Sequence, residues 1–340
     1  MSSGAGLLLS SVFLERGPSY SIEEFEVLFI LLTLFIAVNG LQRSGLISDI
    51  SRRMEKGRAV PLKLVLSTFF FSMLISNDAA LIIVVPLTLA LNVGRKDILV
   101  ILEALAANAG SALTPFGNPQ NLYIYWTYDL SLISFLRVIA PFSFFFLVLL
   151  VAASLLIRTE KTERSTVYPG KIGKSAVVYG LLLVVVLLSV LHFLPVYAAA
   201  VVVVYPLLTD RKVLRVDYSL LISFFFFFGI ADNLQILFEG AVGSHGHVFL
   251  LSSLVSQIIS NVPATLLFAD FTDNWKALLW GVNAGGFGSL FGSLANLIVY
   301  KIYVSDVNTD NYAGFTRRFL LIGYTAFLLS VLLFSLLYTL

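Results

Sequence analysis

The chain of 340 residues is 58% hydrophobic and only 12% charged, with a mean hydropathy of +0.92 and a formal net charge of +2. Soluble domains carry about 25% charged residues, so this composition excludes a soluble globular domain. Continuous apolar runs, such as residues 319–340, exclude a β-barrel, whose strands alternate. The absence of cysteine excludes disulfides and thiolate metal sites, and nothing in the charge indicates a nucleic-acid partner.

The apolar segments predict an all-α polytopic membrane protein with about eight spans and two re-entrant hairpins. The chain divides into three regions. Residues 1–130 are predicted to form a helix at 23–42, a hairpin at 62–93 and a broken helix at 97–129. Residues 131–215 supply scaffold and connecting helices at 131–157, 172–193 and 195–209. Residues 216–340 repeat the first design with a helix at 216–239, a hairpin at 247–270, a broken helix at 273–306 and a final helix at 315–339.

Each hairpin has a polar tip, "SND" at 76–78 and "SNV" at 260–262, between two short apolar limbs. A limb of about 13 residues is too short to cross a bilayer as a helix. We therefore expect each pair of limbs to enter and leave on one side of the membrane. The alternative is that each pair forms two complete spans.

The basic residues test this layout, because 19 of the 22 fall on one face of it. Only Arg16, Arg137 and Lys276 fall elsewhere. The positive-inside rule makes the basic face cytoplasmic, which places both termini outside a plasma or inner membrane. Five passes separate the hairpins, so the two halves are inverted relative to each other, as in many secondary transporters.

Two stretches repeat at an offset of 175 residues: "NAGSALTPFGNPQNLYIY" at 108–125 and "NAGGFGSLFGSLANLIVY" at 283–300. Their prolines and glycines interrupt a helix at membrane depth. Such backbone persists only where protein buries it or where it lines a watery cavity. Half-helix ends present amides that suit anions and carbonyls that suit cations. The breaks, facing the hairpin tips, therefore predict a central binding site. The alternative is that the glycines only permit close helix packing.

Three acids lie within the apolar segments: Asp78, Glu103 and Asp232. Ionisable residues inside a membrane usually face a transport pathway or a partner. Asp78 is the main candidate for a coupling acid that binds Na⁺ or carries a proton, because it adjoins the first tip. Val262 occupies the matching place in the second tip, so the two tips are chemically unequal. Glu103 and Asp232 have either a coupling or a structural role.

The segments "SNDAALIIVVPLTLAL", "LTPFGNPQNLYIY", "QIISNVPATLLF" and "GGFGSLFGSLANLIVY" resemble the ion transporter superfamily. This superfamily includes arsenite permeases, citrate and divalent-anion/sodium symporters, and a class of sodium/proton antiporters. The chain is similar in particular to citrate-transporter-like inner-membrane permeases with a "GNPQNL" signature. Dicarboxylate symporters of the superfamily have Ser-Asn-Thr at both tips and a first loop closer to "GTPPN", so this chain departs from their pattern.

The resemblance implies that the tips and breaks bind the substrate and the coupling ion. The candidate residues are Ser76, Asn77, Asp78, Asn108, Thr114, Gly117, Asn118, Pro119, Asn121, Ser260, Asn261, Asn283, Ser289, Gly292, Ser293 and Asn296. A Na⁺ ion is expected near Ser76, Asn77, Asp78, Ser260 and Asn261. The resemblance also implies a homodimer and an elevator movement of the site. No cofactor is expected beyond the coupling ion, Na⁺ or H⁺.

Three cargoes remain open: a small anion or oxyacid, arsenite or antimonite, and Na⁺ exchanged for H⁺. A channel is the alternative among transport proteins. An enzyme is not expected, because the three histidines, at 192, 245 and 247, form no HExxH motif and a GxGD motif is absent. No catalytic residue is therefore assigned.

Overall fold

The computed structural model describes residues 2–14, 17–46, 59–91, 94–157, 175–238, 245–306 and 311–338, together with positions 49 and 173. Within these ranges every element of regular structure is helical, which confirms the predicted all-α class. The α-helices of the described residues are α1 (Ser2–Leu14), α2 (Ile22–Arg43), α3 (Val60–Ile75), α4 (Asn77–Ala90), α5 (Lys96–Ser111), α6 (Pro119–Thr127), α7 (Leu132–Leu155), α8 (Ser175–Val190), α9 (Val201–Thr209), α10 (Tyr218–Phe238), α11 (His245–Ile259), α12 (Asn261–Ala269), α13 (Trp275–Gly285), α14 (Leu294–Ser305) and α15 (Tyr312–Tyr338).

Four segments of the described chain are long and apolar enough to cross a membrane: Ile22–Arg43, Leu132–Leu155, Arg211–Asn233 and Tyr312–Tyr338. The other predicted spans are shorter or divided. The stretch 96–127 is divided into α5 and α6, and the stretch 275–305 is divided into α13 and α14. These features agree with a polytopic membrane protein.

Local sequence explains where the helices begin. Ser21 and Glu24 form a capping box at the start of α2, with each side chain accepting from the other residue's backbone amide. Asn118 caps α6 by accepting from the Asn121 amide, and Pro119 occupies the first helical position, where no amide donor is needed. Ser293 caps α14 in the same place. The polar residues of the breaks therefore act first as helix caps.

The two hairpins pack in a crossed arrangement. Helix α3 packs against α5, and α11 packs in the same way against α13. The returning limbs contact both halves, since α4 packs against α5 and α14, and α12 packs against α13 and α6. Gly110 and Gly285 allow the close approach of the first limbs. A Cβ atom at Gly110 would lie 2.2 Å from the Phe69 carbonyl oxygen, and one at Gly285 would lie 2.4 Å from the Ser256 Cβ.

The remaining helices form two groups. Helix α7 packs against α3, α5 and α13, and the buried Trp280 indole on α13 donates to the Val138 carbonyl of α7 at 2.8 Å. Helix α8 instead packs against α2, and α1 packs against α10. The predicted region 131–215 therefore contains one helix attached to the hairpins and broken helices, α7, and another attached to α2.

Candidate functional site

The two hairpin tips have the same backbone conformation. Ser76, between α3 and α4, has φ 84° and ψ 153°, and Ser260, between α11 and α12, has φ 80° and ψ 154°. Positive φ is uncommon for residues other than glycine, and it persists only where surrounding contacts hold it. A single residue in this conformation reverses the chain between two helices. The tip is therefore a constrained structure and not a long loop.

Each tip is tied to one break by a backbone hydrogen bond. The Asn77 amide donates to the Gly117 carbonyl at 3.2 Å, and the Asn261 amide donates to the Gly292 carbonyl at 2.9 Å. Both glycines are required by close packing. A Cβ atom would lie 2.3 Å from the Ser111 carbonyl oxygen at the first and 2.5 Å from the Gly285 carbonyl oxygen at the second. The structure thus joins Asn77 to Gly117 and Asn261 to Gly292, and all four are residues of the predicted site.

The freed carbonyl groups of the breaks are bonded by asparagine side chains. Asn121 Nδ2 donates to the carbonyls of Ser111, Ala112 and Thr114 at 3.3, 2.9 and 3.3 Å. Asn296 Nδ2, at the matching position, donates to the carbonyls of Gly286 and Ser289 at 2.9 Å each. Backbone at membrane depth must find such partners. These two asparagines therefore stabilise the non-helical backbone of the breaks.

The two halves are joined by a second set of asparagine bonds. Asn108 Nδ2 donates to Asn296 Oδ1 at 3.0 Å, and Asn283 Nδ2 donates to Asn121 Oδ1 at 2.8 Å. All four side chains are buried. We call these four residues the asparagine crossing. Asn118 lies beside it, with Nδ2 3.1 Å from Ser111 Oγ.

Thr114 and Ser289, also predicted as site residues, bond to the hairpins. Thr114 Oγ1 donates to the Met73 carbonyl at 2.7 Å, and Ser289 Oγ donates to the Gln257 carbonyl at 2.7 Å. The Ser289 amide also donates to Gln257 Oε1 at 2.7 Å. Both residues therefore fasten a break to the first limb of its hairpin.

A cavity of about 170 Å³ lies between the two tips and α10. The predicted site residues that line it are Asn77, Asp78, Pro119, Ser260, Asn261 and Ser293. Gln120, within the first break, also lines the cavity, and a wall that was not predicted from the sequence is formed by α10 residues including Ser223, Phe224 and Phe227. Ser223, a polar residue in this apolar helix, is the feature of the sequence that could have indicated that α10 lines the cavity. Among the described residues that line the cavity, none is basic.

Asp78 lies at the first tip and lines two cavities. Its Oδ1 is buried and has no hydrogen-bond partner in the described part of the protein, while its amide donates to Asn77 Oδ1 at 2.9 Å. It also lines an adjoining cavity of about 290 Å³, which Asn39, Gln42, Arg215 and Asp217 border. Of these border residues, Arg215 is one of the basic residues that the positive-inside rule predicts to lie on the cytoplasmic face. Asp78 thus lies between the central cavity and that face.

The other two predicted acids lie outside the central cavity. Glu103 is fully buried, and its Oε1 accepts a hydrogen bond from the Thr88 hydroxyl of α4, while its Oε2, like Asp78 Oδ1, has no hydrogen-bond partner among the described residues. Asp232 accepts from the amide and the hydroxyl of Ser19, each at 2.9 Å. Neither residue lines the cavity between the tips. Of the three acids, the structure therefore brings only Asp78 to the tips.

The stretches "VNGLQ" at 38–42 and "ADNLQ" at 231–235 resemble each other, and their alignment pairs Asn39 with Asp232. Asn39, its match on α2, donates through Nδ2 to the Val213 carbonyl at 2.7 Å, next to the start of α10. Asp232, on α10, bonds Ser19, next to the start of α2. The two side chains each bind the segment that leads into the other long helix, which favours the structural role for Asp232.

An acidic group lies at the end of the second hairpin. Asp270 follows α12 directly. Burial, and then the nearby charge of Asp232, raises the pKa of Asp270 to about 6. This surface therefore changes charge near neutral pH.

Paired hairpins and paired broken helices that meet at a central cavity are an arrangement found in many membrane transporters. The family model for the citrate transporter matches residues 3–277. The chain belongs to this citrate transporter family, which confirms the resemblance found in the sequence.

Relatives support the same class. An uncharacterised transporter of Methanocaldococcus jannaschii is 33% identical over 317 residues, covering 89% of this chain and 86% of that protein. The inner membrane protein YbiR of Escherichia coli is 36% identical over 290 residues, covering 79% and 77%. A silicon efflux transporter of Oryza sativa subsp. japonica is 30% identical over 146 residues, covering 41% of this chain and 30% of that protein.

Proposed function

We propose that the protein is a secondary active transporter that moves a small anion or oxyacid together with, or in exchange for, Na⁺ or H⁺. The observation that carries this proposal is the position of Asp78. Its unpartnered Oδ1 lies at a hairpin tip, in a cavity bordered by both tips. A carboxylate oxygen buried without a partner is costly unless a cation or proton neutralises it. Asp78 therefore supplies the coupling site.

The lining of the cavity favours a weakly charged substrate. Amide and hydroxyl groups from Asn77, Gln120, Ser260 and Asn261 can bond the hydroxyl groups of an oxyacid, and apolar residues complete the wall. A tricarboxylate such as citrate carries up to three negative charges, and the described lining offers no basic residue to receive them. The relative named as a silicon efflux transporter also fits an oxyacid.

Two alternatives belong to the same superfamily. An arsenite or antimonite efflux permease would use the same cavity for a neutral oxyacid. A Na⁺/H⁺ antiporter would use Asp78 alone and would leave the amide and hydroxyl lining without a substrate. Ser260 and Asn261 supply uncharged polar groups to the lining at the second tip, which favours a transported oxyacid over exchange of cations only.

A thermal-shift experiment on the purified protein tests this function. We expect a small oxyacid, screened among borate, silicate, arsenite and phosphate, to raise the unfolding midpoint in a manner that depends on Na⁺ or pH. Asp78→Asn should remove the dependence on the ion. Glu103→Gln is the matched control, a buried acid outside the cavity, and should retain it. Stabilisation by citrate alone, equal with and without Na⁺ at two pH values, would contradict the proposal.

The packing also supports an elevator movement. Hairpins and broken helices share backbone bonds and the asparagine crossing, so they would move as one body, with α7 and α15 attached. Helices α1, α2, α8, α9 and α10 would remain as the scaffold. This division moves α7 out of the predicted scaffold, because α7 packs on α3, α5 and α13. A homodimer would form through the scaffold, and native mass spectrometry of the protein in detergent can test that state.

Cysteine cross-links can test the movement, because the chain contains no cysteine. Leu220 on α10 and Leu294 on α14 both line the central cavity and the adjoining one. A cross-link between cysteines at these two positions should stop transport in proteoliposomes. A control pair, Phe249 on α11 and Phe334 on α15, lies within the moving body with ring centroids 3.9 Å apart and should leave transport intact. The reverse result would exclude the elevator movement.

A further inference from the structure

The two hairpins share one set of bonds to the breaks. Met73 on α3 and Gln257 on α11 each lie three residues before the serine of their tip. The Met73 carbonyl accepts from Thr114 Oγ1, and the Gln257 carbonyl accepts from Ser289 Oγ, each at 2.7 Å. These bonds, like those from the tip amides to the glycine carbonyls, match in the two halves. A difference in how firmly the hairpins are held must therefore come from other contacts.

The side chain of Gln257 gives the second hairpin two further bonds. Its Nε2 donates to the Gly285 carbonyl at 2.9 Å, and its Oε1 accepts from the Ser289 amide at 2.7 Å. The second break makes room for this side chain, because Gly288 has φ 86° and a Cβ atom there would lie 2.3 Å from Gln257 Oε1. Gln257 therefore bonds the first limb of the hairpin to backbone on both sides of Gly288.

In the described part of the chain, the first hairpin has no equivalent of these two bonds. Met73 occupies the place of Gln257, and its thioether donates no hydrogen bond. At the offset of 175 residues, Leu113 occupies the place of Gly288. The additional contact of the first tip, from Asn77 Nδ2 to Asn108 Oδ1, is 3.5 Å long and therefore weak. Less free energy is thus needed to displace the first tip from its break.

Helix α4 also contains a place at which the first hairpin can bend. Pro86 lies inside the helix, so the Ile82 carbonyl lacks its helical donor. Beyond Pro86, the Thr88 hydroxyl donates to Glu103 of α5 and fixes the end of the limb. In α12 the proline, Pro263, lies in the first turn, where no helical bond is lost. The tip end of α4 can therefore move while its other end stays attached.

The first tip separates two cavities. Asn77 and Asp78 line the central cavity, whereas Ser76, Asp78, Ala79 and Ile82 line the adjoining cavity of about 290 Å³. None of the described residues that line the adjoining cavity belongs to the second hairpin. A displacement of the first tip would therefore join the two cavities, and a displacement of the second tip would not.

We propose that the first hairpin is the gate between the central and the adjoining cavity, and that Gln257 is a positioning residue that keeps the second hairpin closed. The first tip opens toward the adjoining cavity by bending α4 near Pro86, and it closes when Asn77 and Thr114 regain their bonds. This local opening occurs within the moving body. The inference rests on the proposed transport function, because a gate serves a cavity that is filled and emptied.

Hydrogen exchange of the purified full chain, measured by mass spectrometry on peptides that contain each tip, tests the difference in opening. We expect the first tip to exchange about tenfold faster than the second, or more, because two additional hydrogen bonds stabilise the closed second tip. Gln257→Met gives the second hairpin the residue of the first and should raise exchange at the second tip by a similar factor. Met73→Leu is the matched control and should leave both tips unchanged.

A pair of matched cysteine variants tests the direction of opening. Ala80 and Ala264 are fully buried, and the amide of each donates to the carbonyl of its tip serine. In the cysteine-free chain, Ala80→Cys should react with a maleimide about tenfold faster than Ala264→Cys, or more. Val38→Phe enlarges a side chain that lines the adjoining cavity. It should slow the reaction of Ala80→Cys and leave that of Ala264→Cys unchanged.

The outcomes separate this inference from the proposed function. Equal exchange at both tips of the wild type, or an unchanged second tip in Gln257→Met, would overturn the unequal hairpins. If Val38→Phe does not slow the reaction of Ala80→Cys, the tip does not open toward the adjoining cavity. These measurements need no transported ion or oxyacid, so their failure leaves the proposed coupling in place. If Gln257→Met does not fold, the two tips of the wild type still decide.

Discussion

The first tip, Ser76–Asp78, and the second, Ser260–Val262, enter one cavity with φ angles of 84° and 80° and ψ angles of 153° and 154° at their serines. Each binds a glycine of one break through an asparagine amide. They differ at the third residue, where an acid stands opposite a valine. The comparison separates two requirements. Serine and asparagine maintain the turn in both halves, whereas Asp78 is not needed for the turn and is therefore available for function.

The largest loss of stability is expected at the asparagine crossing, which joins the two halves. Asn121→Ala removes the donors to three buried carbonyls and the acceptor for Asn283, and Asn296→Ala breaks the matching set. Because each unsatisfied buried group costs about 1–3 kcal/mol, we expect each variant to lose about 3 kcal/mol or more. Denaturant unfolding in detergent measures this loss.

An exposed asparagine serves as the control for these variants. Asn311 caps α15 by accepting from the Gly314 amide, and Asn311→Ala should cost only about 1 kcal/mol. A large loss in Asn121→Ala with a small loss in Asn296→Ala would show that the two halves do not depend equally on the asparagine crossing.

A smaller effect is expected at the matched glycines. Gly110→Ala and Gly285→Ala each place a Cβ inside contact distance of a first hairpin limb, and overpacking of this kind costs about 1–3 kcal/mol. Thermal unfolding midpoints should fall in both. Gly180→Ala is the control, because no atom lies within 4 Å of the added Cβ, and it should be neutral or stabilising by up to about 1 kcal/mol. Unchanged midpoints at Gly110 and Gly285 would mean that the hairpins pack loosely.

Much of the likeness between the two halves could be predicted from the sequence, because matching residues recur at a fixed offset. The offset of 175 residues paired Asn108 with Asn283 and Asn121 with Asn296 before any contact was known. The glycine and proline breaks and the polar tips also follow from the rule that backbone in lipid must be bonded. The hairpins and broken helices could therefore be predicted from local sequence patterns.

The partners of these residues could not be predicted. Nothing in the sequence indicates that Asn108 bonds Asn296 across the halves, since side-chain pairing depends on how the helices cross. The α10 wall of the cavity has no polar pattern beyond Ser223. Asp232 resembled a coupling acid because it lies in an apolar segment, but its partner, Ser19, is 213 residues away. The attachment of α7 to α13 depends on Trp280, which gave no signal of its own.

The smallest predicted effect on stability concerns the ends of the returning limbs, where the two hairpins differ. The returning limb of the second hairpin, Asn261–Ala269, is shorter than that of the first, Asn77–Ala90, and it ends at Asp270. The pKa of Asp270 is raised from 3.8 to about 6, chiefly by burial. The folded state therefore holds this proton more tightly than the unfolded chain, and the resulting stabilisation is complete below pH 3.8 and is lost as the pH rises through 6.

Thermal midpoints between pH 4.5 and 7.5 can measure this contribution. We expect the wild type to lose slightly more stability than Asp270→Asn across that range, because asparagine has no proton to lose. The effect is small because Asp270 is partly exposed to solvent. Parallel pH profiles for the two proteins would show that Asp270 titrates alike in the folded and unfolded states.

An exchange of the third residues between the tips tests the central claim most directly. Asp78→Val should abolish the Na⁺- or pH-dependent rise in the thermal midpoint of the purified protein. Adding Val262→Asp to that variant places one acid on the same backbone, in the same cavity, at the other tip. The account predicts that the double variant regains the ion dependence that the single variant loses. A folded double variant that stays insensitive to both ions, or an Asp78→Val protein that keeps its ion dependence, would contradict the claim that the tips are one structure distinguished by one coupling acid.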